Sequence, residues 1–340
     1  MEKSALIDGD VNYDWNFLNY TIHTVSATPE QTSKEFAILL IHGFGASTDH
    51  WRFNIPVLST KYEVHAMDLL GFGKSPKPKD VEYSGAWWNA QVVAYVKEKI
   101  KKPTIVVGNS LGGYAALAAG AELNELNAGV ILLNAAGYFS EEKTIKKNML
   151  QTSIETVAGI FLKNIVLQRL IFENMRNPKN IKKTLNQVYV DKKNVDDFLV
   201  ESIRKPSLDF GAFNVFRSVF NPSGPQGLPL DKLFAKLNSP LLLLWGGKDP
   251  WMNTPKKRNL YKKFTPQNTK EIILDAGHCP HDEIPELVNQ HILDWVDSLW
   301  VTIVQIKLSN KDQEIFVFQL DQNNYIKFCP ERGGVITNWV

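Results

Sequence analysis

The sequence predicts an α/β fold, in which helices cover both faces of a mostly parallel central sheet. Short aliphatic runs bounded by turn residues alternate with helix-like segments over about the first 135 residues, and this alternation is typical of such sheets. The alternation stops after residue 137 and resumes at residue 241, so a helical segment interrupts the sheet-forming part. Hydrophobic residues make up 44% of the 340 residues, which provides a large core and excludes general disorder.

Six strands and three helices of this core are predicted in chain order. The predicted strands are Ala37–Ile41, Glu63–Met67, Thr104–Val107, Val130–Leu133, Leu241–Trp245 and Glu271–Leu274. The predicted helices are Ala86–Ile100, Leu111–Ala121 and Pro285–Trp300. Residues 1–137 and 238–300 are therefore assigned to the α/β core.

Residues 138–237 are predicted to form a helical lid inserted into this core. The segment is rich in Lys and Asn and has helical periodicity, for example at Ile145, Met149 and Ile154. Because the strand pattern resumes after it, a lid over the carboxyl ends of the strands is favoured over a separate domain. Its apolar stripe either lines an acyl or alcohol pocket, lies on a membrane surface, or packs the lid on the core. The stripe consists of Phe161, Leu162, Ile165, Val166, Leu167, Leu170, Ile171 and Phe172.

Residues 301–340 are predicted to form a β-rich tail. Ile303–Leu308, Glu314–Leu320 and Tyr325–Phe328 alternate like strands, and Gly333-Gly334 marks a turn. Residues 326–336 resemble the opening of aldose 1-epimerase-like β-sandwich proteins. So short a segment cannot supply that sandwich or its sugar site, so the tail is interpreted as the remnant of a fused or truncated second domain, without activity.

Charge, cysteine content and the N-terminal residues exclude several classes of protein. Lys and Arg number 38 and Asp and Glu 36, so the formal net charge is only +2, whereas nucleic-acid surfaces carry a concentrated basic excess. Cys279 and Cys329 form no CxxC pair, which supports neither a disulfide scaffold nor a zinc site. Residues 1–20 lack the basic start and apolar centre of a secretion signal. We therefore expect a cytoplasmic protein that binds no nucleic acid.

The segment Gly108-Asn-Ser-Leu-Gly112 has the form G-x-S-x-G and lies between a predicted strand and an Ala-rich predicted helix. A nucleophile in this context sits on a sharp turn, and the flanking Gly108 and Gly112 leave room for that turn. The helix that follows directs its N-terminal N–H groups at developing negative charge. Ser110 is therefore the predicted nucleophile, and the alternative is a loop serine that caps a helix.

A serine hydroxyl needs a base, and the predicted base is His278. It follows a late strand more closely than its nearest competitor, His281. The predicted acid is Asp249, which also follows a strand, whereas the end of the preceding strand holds Asn134, which cannot ionise. The chain order Ser110, Asp249, His278 matches one known triad order, in which the acid fixes the histidine tautomer. A hydrogen-bonded structural histidine and a solvated turn aspartate are the alternatives.

The segment His42-Gly43-Phe44-Gly45 follows the first predicted strand and is the candidate oxyanion loop. The backbone N–H groups of Phe44 and Leu111 are predicted to converge on a carbonyl oxygen as it becomes an oxyanion. One such donor contributes about 10²–10³-fold in rate. His42 is expected to brace the loop rather than to catalyse, and Asp68, which ends another strand, is expected to be structural.

The predicted triad and the His42-Gly43 loop together resemble the α/β-hydrolase family over about residues 20–300. Members that open epoxides or cleave carbon–halogen bonds carry an aspartate at the nucleophile position, whereas this chain has Ser110. The resemblance therefore implies action on esters, lactones or similar acyl groups. No metal ion or organic cofactor is expected, because the chain itself supplies the nucleophile, the base and the oxyanion donors.

Three segments resemble a narrower branch, the chlorophyll dephytylases and pheophytinases of plants and cyanobacteria. They are Val107–Tyr114, Asn186–Asp197 in the lid and Gly277–Asp282. In that branch the serine attacks the ester that joins phytol to the chlorin ring, and the lid similarity is expected to carry the specificity. Plant members have a plastid transit peptide, which residues 1–20 do not resemble. The resemblance therefore implies a cyanobacterium-like source and a location peripheral to a photosynthetic membrane.

The leading hypothesis is a serine esterase that acts through an acyl-enzyme on a small hydrophobic ester, such as a phytyl ester. Two other interpretations use the same residues, namely a ligand-sensing receptor on a hydrolase scaffold and a lactonase or perhydrolase. Sustained turnover distinguishes an enzyme from a receptor. The residues alone do not distinguish esterase action from lactonase or perhydrolase action. The lid is expected to allow peripheral membrane contact, and no oligomeric state is predicted.

Overall fold

Eight strands form one sheet in this computed structural model, which describes residues 11–29, 36–141, 164–220, 227–309, 316–320 and 326–330. They are β1 Val11–Phe17, β2 Tyr20–Ala27, β3 Ala37–Ile41, β4 Glu63–Met67, β5 Thr104–Asn109, β6 Asn127–Leu133, β7 Leu241–Gly246 and β8 Thr269–Leu274. Across the sheet they lie in the order β1-β2-β4-β3-β5-β6-β7-β8. Strand β2 is antiparallel to β1 and β4, and all other neighbouring pairs are parallel. The predicted α/β fold with a mostly parallel sheet is confirmed.

All six predicted strands are present in this sheet. Strands β3 and β4 have the predicted bounds, and β5 to β8 are one to three residues longer than predicted. The central strands β3, β5 and β7 are buried along their whole length, which is why they consist of uninterrupted aliphatic runs. Because β5 to β8 are parallel, the residues that follow them meet at one edge of the sheet.

The N-terminal hairpin of β1 and β2 was not predicted. Its register pairs Tyr13 with Thr24 and Phe17 with Tyr20. The connecting turn, Leu18-Asn19, contains no glycine, although Leu18 adopts a φ of +53°. Tight hairpin turns are recognised mainly by Asn-Gly or Asp-Gly pairs, so this turn carried no recognisable signal in the sequence.

The core contains α-helices between and after the strands of this sheet. They are α1 Ile55–Leu58, α2 Gly85–Tyr95, α3 Leu111–Gly120, α9 Thr254–Phe264, α10 Pro280–Glu283 and α11 Pro285–Ser309, with α4 to α8 in the insertion described below. Val92 of α2 and Leu117 of α3 belong to the same apolar core as Leu39 and Val106 of the sheet. The predicted helix 86–100 is divided, because α2 gives way to a π-helical turn over Val96–Ile100.

The insertion lies between β6 and β7, and its described part is helical. Its helices are α4 Ile165–Met175, α5 Pro178–Val188, α6 Asp197–Ser207, α7 Ala212–Val219 and α8 Leu230–Phe234. The predicted apolar stripe is split in α4, where Phe172 is buried against Ala212 and Phe216 while Val166 and Leu170 are exposed. The stripe residues Phe161 and Leu162 and the periodic positions 145–160 lie outside the described residues.

The predicted strand Ile303–Leu308 is wrong, because helix α11 continues through it to Ser309. Apolar residues at 300, 303 and 304 also fit helical spacing, and a short apolar run does not distinguish a strand from a helix. The other two predicted tail strands are present as β9 Phe316–Leu320 and β10 Ile326–Pro330, which pair antiparallel. The predicted turn at Gly333-Gly334 lies outside the described residues.

Candidate active site

Ser110 lies between β5 and α3 in a backbone conformation that residues other than glycine rarely adopt, with φ +52° and ψ −117°. Its N–H donates to the carbonyl of Leu133 at 3.0 Å, and its own carbonyl accepts from the N–H of Ala136 at 2.8 Å. These two bonds hold the turn against the end of β6. Strained residues held in this way cluster at functional sites, so the turn is a candidate for the position of a nucleophile.

Two glycines allow the chain to turn this sharply. A Cβ at Gly108 would lie 2.2 Å from the carbonyl oxygen of Gly112. A Cβ at Gly112 would lie 2.3 Å from the carbonyl oxygens of both Ile41 and His42. A side chain at either position would therefore push α3 away from the strands beneath it, and this explains the glycines of the G-x-S-x-G segment.

Asp249 and His278 are joined by a hydrogen bond. Asp249 follows the end of β7 and His278 the end of β8, and Asp249 Oδ2 lies 2.6 Å from His278 Nδ1. Both side chains are buried. Burial by itself raises the pKa of Asp249, but the hydrogen bond from His278 and its electrostatic attraction hold that pKa below its usual value, with help from two further donors. The carboxylate is therefore ionised at neutral pH.

The direction of this hydrogen bond sets the histidine tautomer. An ionised carboxylate can only accept, so Nδ1 of His278 carries a proton and donates it. In the neutral ring, Nε2 then keeps a lone pair with which it can take up a proton. Trp251 is 58% exposed, and the centroid of its indole ring lies 4.9 Å from that of the His278 ring.

Asn134 supports the acid, a role that the sequence reasoning missed. Its Nδ2 donates to Asp249 Oδ2 at 2.5 Å, and its Oδ1 accepts from the N–H of Gly246 at 2.6 Å. Asn134 thus ties the end of β6 to the end of β7 and holds the carboxylate oxygen that also accepts from His278. The available signal was that Asn134 is a polar residue directly after an apolar strand. From the sequence, this position is considered only as a place for the catalytic acid.

Asn109 connects the nucleophile turn to the histidine loop. It is buried, and its Nδ2 donates to the carbonyl of His278 at 2.9 Å and to that of Leu133 at 3.1 Å. Because Asn109 directly precedes Ser110, this bond fixes the backbone of His278 beside the nucleophile turn. The structure therefore brings Ser110, His278 and Asp249 to one edge of the sheet, Asp249 through its direct bond to His278.

The loop after β3 lies against the nucleophile turn and is braced by His42. A Cβ at Gly43 would lie 3.3 Å from Cβ of Ser110. The buried His42 ring donates from Nδ1 to the carbonyl of Gly43 at 2.7 Å and accepts at Nε2 from the N–H of Leu69 at 3.0 Å. Burial lowers the pKa of His42. A neutral ring with both nitrogens engaged serves as a brace and not as an acid or base.

The N–H groups of Phe44 and Leu111 remain available for an anion. Leu111 begins α3, where N–H groups have no partner inside the helix. Within the part of the chain that the structure describes, neither N–H donates to another protein group. The ring of Phe44 packs edge-on against Phe72 at 5.7 Å and Phe220 at 5.2 Å, which anchors the loop.

His281, the competing base, is fully buried. Its ring lies 4.2 Å from that of Trp51 and 4.5 Å from that of His50. Burial drives the pKa of His281 well below its usual value. Among the described residues no carboxylate accepts a hydrogen bond from it, so it lacks the partner that orients a catalytic histidine.

Asp68 has a structural environment, in agreement with its expected role. Its Oδ1 accepts from the N–H of Thr48 and its Oδ2 from the N–H of Lys74, both at 2.7 Å. The buried carboxylate thus ties together the backbone of two loops near the oxyanion loop.

A cavity of about 610 Å³, counting the space at its mouth, lies between the oxyanion loop and the helical insertion. Its two cations are already engaged: Lys77 Nζ donates to Asp209 Oδ2 at 2.8 Å, and Arg176 Nη1 donates to the carbonyl of Ser207 at 3.2 Å. The other walls are mostly apolar, and such cavities suit hydrocarbon chains. The lining consists of Phe44, Gly45, Gly71, Phe72, Gly73, Lys77, Phe172, Met175, Arg176, Ile181, Ile203, Pro206, Ser207, Ala212, Val215 and Phe216.

The family follows from a match between residues 38–291 and the family model described as "Alpha/beta hydrolase family". The chain belongs to the alpha/beta hydrolase family. The matched residues run from β3 to the start of α11, so they include the nucleophile turn, the oxyanion loop and the Asp249–His278 pair.

Individual relatives agree with this assignment. The hydrolase is 29% identical over 303 residues to the chloroplastic pheophytinase of Arabidopsis thaliana, covering 77% of this chain but only 61% of that protein. It is 28% identical over 259 residues to the uncharacterized hydrolase YugF of Bacillus subtilis (strain 168), covering 76% of this chain and 89% of YugF. The resemblance to α/β hydrolases and to pheophytinases is confirmed.

A solved structure superposes closely on this hydrolase. It is a membrane phospholipase A described as a bacterial virulence factor, with a TM-score of 0.68 at 26% identity, and the superposition covers 86% of this chain and 87% of that one. In the described part of this hydrolase, no helix is long and apolar enough to cross a membrane. Over the same residues, no three His, Cys, Asp or Glu side chains cluster as metal ligands.

Proposed function

We propose that this hydrolase cleaves carboxylic esters through a covalent acyl-enzyme on Ser110. The hydrogen bond between Asp249 and His278 carries the proposal, because it places the proton of the neutral imidazole on Nδ1 and leaves Nε2 free to accept one near a strained serine turn. Labelling with a fluorophosphonate probe, followed by peptide mass spectrometry, tests it. We expect the label on Ser110, and a label confined to any other residue contradicts the proposal.

In the first half of the reaction, Ser110 Oγ attacks the ester carbonyl and transfers its proton to Nε2 of His278. The carbonyl electron pair moves to oxygen, where the N–H groups of Phe44 and Leu111 stabilise the negative charge. The carbonyl re-forms as the bond to the alcohol breaks, and the alcohol leaves with the proton from Nε2. Asp249 stabilises the transient imidazolium without taking its proton.

In the second half, a water molecule attacks the acyl-enzyme and gives its proton to Nε2 of His278. The same two N–H groups stabilise the second oxyanion. When the carbonyl re-forms, the bond to Ser110 breaks and Oγ recovers the proton from Nε2. The acid is released and the enzyme returns to its starting state.

The substrate that we propose carries a long apolar group, because the cavity beside Phe44 has mostly apolar walls. Ala212 lines this cavity at the start of α7 and packs with Phe172 and Phe216. Replacing Ala212 by tryptophan is expected to fill part of the cavity. The kcat/KM for p-nitrophenyl octanoate should fall about 10-fold or more, while that for p-nitrophenyl acetate stays within about twofold of wild type.

Ala86→Trp is the matched control, because Ala86 is exposed on α2. This variant should leave kcat/KM unchanged for both p-nitrophenyl octanoate and p-nitrophenyl acetate. An equal loss on the short and the long ester in Ala212→Trp would mean that the cavity does not hold the apolar group.

A finer proposal is that the ester is a phytyl ester of chlorophyll or pheophytin. The support is the 29% identity to a chloroplastic pheophytinase over 77% of this chain, together with the apolar cavity. Incubation with chlorophyll a and with pheophytin a, followed by chromatography, tests it. Release of phytol together with chlorophyllide or pheophorbide is expected. If simple esters are cleaved and neither pigment is, the phytyl proposal fails and the esterase proposal stands.

We also propose that the insertion makes peripheral contact with membranes, where such an ester would dissolve. Val166 and Leu170 on α4 are exposed, and exposed apolar side chains bind to the membrane interface in proportion to their area. The double substitution Val166→Ser and Leu170→Ser is expected to reduce co-sedimentation with phosphatidylcholine–phosphatidylglycerol vesicles about 10-fold. Leu18 is an exposed leucine in the N-terminal hairpin, and Leu18→Ser should leave co-sedimentation with the vesicles unchanged. Equal binding by all three proteins contradicts this contact.

A further inference from the structure

A buried carboxylate outside the triad, Glu283, joins the loop of His278 to the segment that follows α5. Glu283 lies in the short helix α10 and is fully buried. Its Oε2 accepts from the N–H of Gly277, the residue before His278, at 2.8 Å. Its Oε1 accepts from the N–H of Val190 at 3.0 Å and from that of Asp191 at 2.9 Å. One side chain therefore fastens two backbone segments to each other.

The same two segments also touch directly. The N–H of His278 donates to the carbonyl of Val188 at 2.8 Å. A Cβ at Gly277 would lie 1.9 Å from that carbonyl oxygen, so only glycine permits this approach. The N–H of Gly277 is thus held by Glu283 and that of His278 by Val188, while the carbonyl of His278 is held by Asn109.

The neighbouring carboxylate, Asp282, extends this connection. Its Oδ2 accepts from the hydroxyl of Tyr189 at 3.0 Å, and its Oδ1 accepts from Arg52 Nε at 3.0 Å. Arg52 also donates from Nη1 to Asp196 Oδ2 at 2.7 Å, and Asn194 Nδ2 donates to the carbonyl of Asp282 at 2.6 Å. Residues 188–196 are therefore bound to the histidine loop at several points.

The sequence predicts that the lid segment Asn186–Asp197 carries substrate specificity, but these contacts connect it to the histidine loop. Among the described residues that line the cavity, none comes from this segment. Its hydrogen bonds reach the loop of His278, Arg52 and His50. This segment therefore helps to hold the histidine loop, whereas the cavity walls come from other parts of the insertion and from loops of the core.

We propose that Glu283 is a positioning residue that keeps His278 aligned with Ser110 by fastening its loop to residues 188–191. This rests on the proposed function, in which His278 is the base. Two carboxylate oxygens are needed, because one faces Gly277 and the other faces Val190 and Asp191. An amide has one acceptor oxygen and an NH₂ group that cannot accept, so glutamine serves only one of the two segments.

Glu283→Gln is therefore expected to loosen the histidine loop without touching the substrate. A displacement of about 1 Å in a reacting group can cost about 100-fold in rate. We expect kcat for p-nitrophenyl butyrate to fall about 10- to 100-fold with KM changed by less than about threefold. Glu286→Gln, the same substitution at an exposed position three residues further on, should keep the wild-type kcat.

A double-mutant cycle separates positioning from a general structural effect. If Glu283 acts through His278, then Glu283→Gln should not further reduce the fluorophosphonate labelling rate of a His278→Ala enzyme. The same loss in both backgrounds overturns the proposal, and so does a wild-type kcat for Glu283→Gln. If Glu283→Gln does not fold, Glu283→Asp repeats the cycle, because it keeps both oxygens but retracts them by one methylene.

A spectroscopic readout makes the test independent of catalysis. The Nδ1 proton that His278 donates to Asp249 should give a low-field proton resonance, and Glu283→Gln should shift or broaden it. An unchanged resonance overturns the proposal. If wild-type and His278→Ala enzymes label and hydrolyse equally, the proposed function fails, yet the resonance still reports whether Glu283 holds the imidazole.

Discussion

Replacing Ser110 by alanine is expected to lower kcat for p-nitrophenyl butyrate by about 10⁶-fold and to abolish fluorophosphonate labelling. Ser110 Oγ is the atom that forms the acyl bond in the proposed reaction, and alanine has no atom that can replace it. The fold should be retained, because the strained turn is held by backbone bonds to Leu133 and Ala136 that do not involve the hydroxyl. The rate of p-nitrophenyl butyrate hydrolysis gives kcat, and mass spectrometry of the protein gives the extent of fluorophosphonate labelling.

Ser59→Ala provides the matched control for this substitution. Ser59 follows α1, and its hydroxyl donates to the carbonyl of Pro56 at 3.2 Å, away from the triad. This variant should retain wild-type turnover and labelling. Turnover by Ser110→Ala within about tenfold of wild type would leave Ser110 without a role in the chemistry.

Replacing Asp249 by asparagine is expected to lower kcat by about 10⁴-fold while KM changes little. The side chain keeps its shape, and its remaining oxygen can still accept from the N–H of Trp251, which lies 2.8 Å from Oδ1 of the aspartate. Its amide NH₂ then faces Nδ1 of His278, which can no longer donate there. The imidazole is expected to carry its proton on Nε2 instead, and that nitrogen cannot accept the proton of Ser110.

Asp275→Asn is the matched control for the acid. Asp275 directly follows β8, and its exposed carboxylate pairs with Lys248 at 2.6 Å. Exposed pairs of this kind contribute little to stability, and this one does not touch His278. Its kcat should equal that of wild type. If Asp249→Asn retains more than about a tenth of wild-type kcat, another group must orient the histidine.

The main elements of the fold were predictable because their signals are local. Ala37–Ile41 and Glu63–Met67 are apolar runs bounded by turn residues, and the structure forms strands over those residues. The hairpin of β1 and β2 was missed because its turn, Leu18-Asn19, is not one of the Asn-Gly or Asp-Gly pairs by which tight hairpins are recognised. Ile303–Leu308 was misread because a short apolar run fits both a strand and a helix.

The candidate triad was predictable for a related reason. Ser110, Asp249 and His278 each follow an apolar strand, and residues that follow parallel strands meet at one edge of the sheet. The supporting residues have no such pattern. Asn134 is excluded as the catalytic acid because it cannot ionise. Its amide nevertheless supplies a hydrogen-bond donor to the carboxylate of Asp249.

The sequence by itself determined the α/β class, the order of the core strands along the chain and the chemical types of side chain at their carboxyl ends. These properties depend on local periodicity, turn residues and strand ends. Only the tertiary structure decided that Asn134 holds Asp249 across 115 positions of the chain and that Glu283 meets Val190 across 93. Buried polar groups must find partners wherever the fold brings them, and that pairing is set by the packing of the whole chain.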